Sequence, residues 1–303
     1  MVFTIHRLPT YKETKMNRVF LIGNGESRKD FDLNLLKPHG KLYGCNAIYR
    51  DYPELIDVLT SVDGGMIHEV YHSGIAQKIP CYFRAWTKVP AMLYQSIVEG
   101  MASIQDLKDM KEFDLIKANE QGDSQEFVTH GSTIEGAITI LKKAKEEGGD
   151  RERVKKHIHN SHVYVSWIKQ PDKSYDIREC EPDGVDDGWA CGPTTGYIAT
   201  KLEKPDEIYM IGHDLVSDTN TVNNLYKSTK NYVASEFEPT PSGNWELQWK
   251  RLMELNPKIK FFKVNKELND SPTNRKIDVF TAQEDINLEY IDQAQLLDRL
   301  SAK

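Results

Sequence analysis

Val19-Phe20-Leu21-Ile22-Gly23-Asn24-Gly25-Glu26-Ser27 is the stretch that decides the fold. Its apolar residues run without polar alternation, which suits a strand covered on both faces, as in the middle of a parallel sheet. The run stops at Gly-Asn-Gly, where glycine lets the backbone turn sharply and lets other groups come close to it. The pattern recurs down the chain. Residues 41–45 lead into Asn46, 57–62 into Asp63-Gly64-Gly65, and 206–211 into Gly212-His213-Asp214, while 258–264 form the last such run. Helical stretches separate these runs. The order predicts an α/β fold: a Rossmann-like, doubly wound, mostly parallel sheet with a polar helical insertion and a lid. In such sheets ligands lie beyond the carboxyl ends of the strands, and the polar segments just named all fall there.

The chain has 303 residues, enough for one large α/β domain with an appendage. A nucleotide-binding Rossmann-like domain is expected over 1–265, beginning with a loose arm at 1–15. Within it, 90–190 form the insertion and 215–245, rich in Asn, Ser, Thr and Lys, form a mobile lid. A polar tail with one helix, near 284–300, is expected over 266–303 and would pack on a neighbouring subunit, so a homo-oligomer is expected. In the insertion, Ser132 and Glu135 form a capping box that opens a helix over 132–147. Residues 163–180 read as a hairpin. The net charge of -7 argues against a protein that coats nucleic acid through a basic surface. No apolar run reaches the length of a membrane span, and the amino terminus has no apolar signal core, so a cytoplasmic protein is expected. Cys45, Cys81, Cys180 and Cys191 show no CxxC spacing and are expected reduced, each a small buried hydrophobe.

Several strand ends carry candidate chemistry. Glycines at 23 and 25 allow a phosphate to approach the backbone, and the amides that follow can donate to it, with Asn24 and Ser27 adding side-chain donors. Arg28 stands where the dinucleotide pattern GxGxxG needs its third glycine, which disfavours classical NAD binding. Asn46 can reach a ribose or a base edge, although an Asn capping a turn is the plainer reading. Asp63 can hold a metal or a sugar hydroxyl, or cap a helix. Cys191-Gly192-Pro193-Thr194 opens a helix whose free amides suit an anion. Gly212-His213-Asp214 follows the next strand.

Gly23-Asn24-Gly25-Glu26-Ser27, then Asp32-Leu33-Asn34-Leu35-Leu36, then Gly44-Cys45-Asn46-Ala47-Ile48-Tyr49 resembles the bacterial sialyltransferases that use CMP-sialic acid. The later Cys191-Gly192 and 207–214 resemble their Ser-Gly helix and Gly-x-Asp strand. The likeness covers roughly the first 60 residues and 190–215. It implies a transferase that moves a sugar from a nucleotide donor, CMP-type favoured, to an unspecified hydroxyl acceptor without a required cofactor. It also implies nucleotide contacts from Asn24, Ser27, Asn46 and Gly192. The chain departs from the family pattern at Glu26 and Arg28, and 214–250 hold no histidine to serve as the family's lid base. Tyr226, Tyr232, Asp218 and His213 are its possible substitutes, and Tyr226, His213 and Asp214 stand as the catalytic candidates, with Gly23, Gly25, Asp63 and Thr194 completing the nucleotide set. The same skeleton is similar to the archaeal hydroxymethylpterin diphosphokinases, through Asp63 and Gly212-His213-Asp214-Leu215. That likeness implies ATP, with Mg²⁺ held by Asp63 and Asp214. A third reading is a non-catalytic nucleotide-binding subunit.

Other constellations compete less well. His68-Glu69-Val70-Tyr71-His72 matches the HExxH zinc motif but lacks the longer extension. A binding role for His68 or His72 near Asp63 is the better use of them, and no resident metal is assigned. His157, His159 and His162 read as a solvated helix end, and Asp183, Asp186 and Asp187 as a flexible acidic loop. Trp245 and Trp249, at helical spacing, read as a core-facing stripe.

Overall fold

The structure is a computed structural model that describes residues 16–84, 87–90, 114–118, 121–131, 146, 163–168, 174–177, 189–273 and 287–302. Its strands are β1 (Arg18–Ile22), β2 (Lys41–Cys45), β3 (Val58–Ser61), β4 (Cys81–Arg84), β5 (Thr87–Pro90), β6 (Asp114–Ala118), β7 (Gln121–Gly131), β8 (Val163–Ile168), β9 (Ser174–Asp176), β10 (Glu207–Ile211), β11 (Lys260–Asn265) and β12 (Leu288–Asp292). The α-helices that accompany them are α1 (Gly64–Ser73), α2 (Cys191–Glu203), α3 (Gly243–Leu255) and α4 (Gln293–Ser301).

A nine-stranded sheet runs in the order β12-β11-β10-β1-β2-β3-β4-β6-β9. From β12 to β4 every neighbouring pair is parallel, and β6 and β9 extend one edge antiparallel. The chain winds from β1 through β2 and β3 to β4 on one side, then returns beside β1 as β10 and continues outward to β12. The strand order therefore reverses between β1 and β10, and a crevice opens there at the carboxyl ends.

The apolar run at 19–22 is buried on both faces, as its lack of alternation requires. Val19 and Leu21 pack with Tyr197, Ile198, Trp249 and Leu252 of α2 and α3. Phe20 and Ile22 pack on the opposite face with Ile67 and Val70 of α1 and Leu296 of α4. On that second face Phe20, Tyr209 and Phe262 are register partners across three strands, with stacked rings 5.3 Å and 4.7 Å apart. Each such aromatic pair contributes roughly 0.5–1.5 kcal/mol beyond its buried area.

Several expectations need correction. β4 follows Pro80 and has only four residues, too short a run to stand out beside the longer ones. The two extended runs of 163–180 do not form a hairpin with each other: β8 pairs with β7 in a separate sheet of order β5-β7-β8, and β9 pairs with β6 in the main sheet. The stretch read as polar and helical over 91–160 holds β6 and β7, strands whose inter-strand bonds outweigh a polar composition. The small sheet lies beside α1. The helix expected over 132–147, the histidines at 157, 159 and 162, and the acidic loop at 183–187 fall outside the described residues, apart from Glu146. The tail is not an appendage. Its β12 adds a parallel edge strand to β11, and Leu296 and Leu300 enter the core. Asp292 caps α4 in a reciprocal box with Gln295, which fixes where the strand ends and the helix begins. Among the described residues, no helix is long and apolar enough to cross a membrane.

Candidate functional site

A cleft of about 570 Å³ opens at the reversal point between β1 and β10, within the size range of small-molecule sites. Gly23, Asn24, Gly25, Asn46, Asp63, Gly192, His213 and Asp214 all line it, so residues far apart in sequence meet as the strand order foretold. Ser27, Thr194 and Tyr226 do not line it. Thr194 is fully buried in the first turn of α2, its amide donating to the Ala190 carbonyl at 3.1 Å. Tyr226 is buried under the segment after β10 and donates its hydroxyl to Asp51 at 2.6 Å, so it anchors that segment. Tyr232, named beside Tyr226 as a substitute for the lid histidine, lines the cleft in its place.

The first loop has a different job from the one expected. The Gly23 amide donates to the Ile211 carbonyl and the Gly25 amide to the Gly212 carbonyl, each at 2.8 Å. The Glu26 amide donates to Asn223 Oδ1 at 2.8 Å, and the Ser27 amide to Asp214 Oδ2 at 3.0 Å. The Ser27 hydroxyl donates to Asp214 Oδ1. The donors read as open to a phosphate are thus taken by protein acceptors, because β10 brings a buried carboxylate into the concavity of the loop. A Cβ at Gly25 would collide with that carboxylate, and one at Gly23 with the Gly212 carbonyl. No α-helix follows the loop either: a 3-10 turn at Glu26–Arg28 and a 3-10 helix at Leu33–His39 lead to β2, so no α-helix dipole points at it.

The anion-receptive end is instead the start of α2. Its N-cap is Ala190, with no side-chain capping bond, and Ala190, Cys191, Gly192 and Pro193 line the cleft. A long helix leaves its first amides unpaired, with partial positive charge. A Cβ at Gly192 would lie 2.8 Å from His213 Nδ1 and 3.2 Å from Trp249, so glycine is needed for this helix to start against the β10 end. Arg84, at the end of β4, adds a cation to the wall.

Two asparagines present neutral acceptors. Asn24 spends its amide on the Cys45 carbonyl at 3.2 Å and the Tyr232 hydroxyl at 3.1 Å. Asn46, at φ 51, donates to Asp63 Oδ2 at 3.3 Å. Among the described residues, the buried Oδ1 atoms of both have no hydrogen-bond partner. Buried polar atoms are normally paired, so two orphaned acceptors at one cleft imply a donor from a ligand or water. Asp63 is solvent-accessible inside the cleft but surrounded by protein. That partial desolvation raises its pKa, against the opposing pull of Asn46 and Arg84.

His213 is 9% exposed and meets Trp249 edge to face at 5.2 Å. Burial drives its pKa down to about 3, helped by the charge of Lys263, so the ring is neutral at pH 7. A ring that basic only below pH 4 accepts a hydrogen bond but is a weak general base. Trp249 is fully buried against α2, as a core stripe requires, while Trp245 is half-buried and lines the cleft.

The segment between β10 and α3 has no helix or strand through 212–242, as its composition predicts, and α3 takes over from Gly243. It is stitched onto the loops after β1 and β2. The Leu225 amide donates to the Asn24 carbonyl at 2.8 Å, and the Ala47 amide to the Tyr232 hydroxyl at 3.3 Å. Arg50 donates to Thr229 Oγ1 and the Lys230 carbonyl, and its guanidinium pairs with both carboxylate oxygens of Glu69. Its charge also lies over the rings of Tyr226 and Tyr232. Glu69 receives Asn231 Nδ2 at 2.7 Å as well. The glutamate of the HExxH run therefore clasps the segment over the cleft. His68 and His72 lie ring to ring at 4.4 Å, and neither lines the cleft. Among the described residues, no group of three His, Cys, Asp or Glu side chains gathers as metal ligands.

Comparison of the chain with protein-family models, curated proteins and solved structures finds no match. Function is therefore argued from the chemistry of the site, because a shared fold alone does not determine it.

Proposed function

We propose that the cleft binds a nucleoside phosphate and that the protein is a nucleotide-sugar-dependent glycosyltransferase, sialyltransferase-like, with a CMP-type donor favoured. One observation carries the reading. Two buried, unpartnered amide oxygens, Asn24 Oδ1 and Asn46 Oδ1, share a cleft with the Cys191 and Gly192 amides at a helix start that has no side-chain cap, the Ala190 amide being taken by Gln248 and Pro193 having none. Neutral acceptors suit ribose hydroxyls or an exocyclic amino group, and free amides at a helix start suit a phosphate. Transfer to a hydroxyl then requires stabilising the departing phosphate and removing the acceptor proton. The α2 amides and Arg84 serve the first need. For the second, Asp63 is the better placed carboxylate, since its raised pKa makes it a stronger base than an ordinary aspartate, whereas Asp214 is committed to Ser27.

A second reading, a Mg²⁺-dependent diphosphokinase, draws on Asp63 and Asp214 lining the same cleft. Thermal unfolding with CMP, CDP, UDP, GDP, ADP and ATP, with and without Mg²⁺, separates the two. A ligand at 100 times its dissociation constant adds about 2.7 kcal/mol. Stabilisation by CMP without metal supports the transferase, stabilisation by ATP only with Mg²⁺ supports the kinase, and no shift from any of them removes both.

A further inference from the structure

Cys45 is the last residue of β2, and its register partner on β3 is Thr60. Cys191 is the first residue of α2, and its thiol donates to the Thr60 carbonyl at 3.1 Å. Cys45 Sγ lies 3.2 Å from Thr195 Oγ1, one turn into α2, and that hydroxyl donates to the Cys191 carbonyl at 2.7 Å. Both sulfurs are thus held between the same strand pair and the same helical turn, near enough for each to shift the other's ionisation. Both residues line the cleft, and both are free thiols. This is more than a small apolar side chain needs. An inert buried cysteine looks like Cys81, whose thiol is pushed up to about 12 by burial alone.

We propose that Cys45 and Cys191 form a redox-closing dithiol at the floor of the cleft, which a hydroperoxide converts to an intramolecular disulfide. This is independent of which ligand the cleft binds. When Cys45 ionises, the Cys191 thiol turns from the Thr60 carbonyl to donate to it, which lowers the Cys45 pKa, with help from the charge of Arg28, while burial raises Cys191. Cys45 is therefore the nucleophile and Cys191 the resolving thiol. The Cys45 thiolate attacks the peroxide O–O bond, giving a sulfenic acid and releasing the other oxygen as water once it gains a proton. Cys191 sulfur then attacks the sulfenic sulfur, the S–O bond breaks, and the hydroxyl leaves as a second water with the Cys191 proton. With hydrogen peroxide, two thiols and one peroxide give one disulfide and two waters; an organic hydroperoxide releases its alcohol in place of the first water. An S–S bond of about 2.05 Å is shorter than a thiol–thiol contact, so closure draws the start of α2 toward β2. That movement changes the span between Asn46 and Gly192 across the cleft, and a ligand seated there would shield both sulfurs.

The test uses the full chain, reduced, freed of reductant, and exposed to a slight excess of hydrogen peroxide. Remaining thiols are blocked with N-ethylmaleimide and the protein is digested without reduction. The expected result is a Cys45–Cys191 linked peptide pair, lighter by two hydrogens than the reduced pair, with Cys81 carrying maleimide. The proposal is overturned if Cys45 and Cys191 both carry maleimide, or if either is bonded to a different cysteine. Cys191→Ser supplies a second readout. Without its resolving partner, Cys45 should stop at the sulfenic acid and accumulate a dimedone adduct that the wild type does not. A variant with no adduct overturns Cys45 as the nucleophile. In the wild type, alkylation of Cys45 at neutral pH should exceed that of Cys81 by roughly 10-fold or more.

Discussion

Replacing Gly25 and Asp214 singly and together shows whether the glycine of the first loop serves the aspartate or a ligand. Asp214 is 5% exposed and accepts both the amide and the hydroxyl of Ser27. Hydrogen bonds to a charged acceptor contribute about 1.5–3 kcal/mol each, so Asp214→Ala should cost about 3–5 kcal/mol, since both donors lose their partner. Gly25 has φ -64 and ψ 150, which alanine adopts without strain. The nearest atoms an added Cβ would meet all belong to the Asp214 carboxylate. Overpacking of this kind costs about 1–3 kcal/mol, so Gly25→Ala should lose that much in the wild-type background. In the Asp214→Ala background the obstacle is gone, and the same change should be nearly neutral, leaving a coupling energy of about 1–3 kcal/mol. Urea unfolding of the four proteins measures it. If Gly25→Ala costs the same in both backgrounds, the glycine is not there for the carboxylate, and the loop regains its claim on a phosphate.

Three other outcomes are expected. His213 falls from 6.5 to about 3 on folding, so the unfolded chain takes up its proton first as the pH drops. Its contribution is complete above pH 6.5 and is lost between 6.5 and about 3, at up to about 1.4 kcal/mol per pH unit, so His213→Gln should flatten the acid limb of stability measured by urea unfolding. An unchanged limb would show that the ring is not held neutral. Arg50→Ala removes the clasp to Glu69 and the segment at 229–230, so amide exchange over 224–233 should quicken by roughly 10-fold or more, while α2 and α3 stay protected. Acceleration spread evenly over all helices would contradict a local clasp. Leu296 is fully buried on α4, and Leu296→Ala should cost about 2–5 kcal/mol by thermal or urea unfolding. A near-zero cost would mean that β12 and α4 are dispensable to the fold.

The parallel sheet was legible because its central strands are covered on both faces. Residues 19–22, 41–45 and 207–211 carry apolar runs that no surface strand would tolerate, and each ends in the turn residues that place the cleft. The edges were not legible for the same reason. The pattern of β12 is half-buried, so Leu288–Asp292 reads as polar tail. At the site, strand ends gave Asn24, Asn46, Asp63 and His213, and a helix start gave Gly192. The glycine loop misled because glycine reports close approach without saying of what, and here the group that approaches is Asp214, 189 residues further along the chain from Gly25. Arg84 and Trp189 were missed, since only the tertiary fold brings them to the cleft. A Tyr in a polar segment carries no mark that separates Tyr232, at the wall, from Tyr226, beneath it.

The most direct test of the central claim is a calorimetric titration of the wild type and Asn46→Gly with CMP. Glycine keeps the positive φ of position 46 at ease while removing the amide, so loss of binding is not confused with backbone strain. A hydrogen bond of about 0.5–1.5 kcal/mol corresponds to roughly 2- to 12-fold in affinity, and the wild type should bind CMP with Asn46→Gly weaker by that factor or more. Equal affinity in the two proteins, or no heat with CMP in the wild type, would contradict the assignment of this cleft to a cytidine nucleotide.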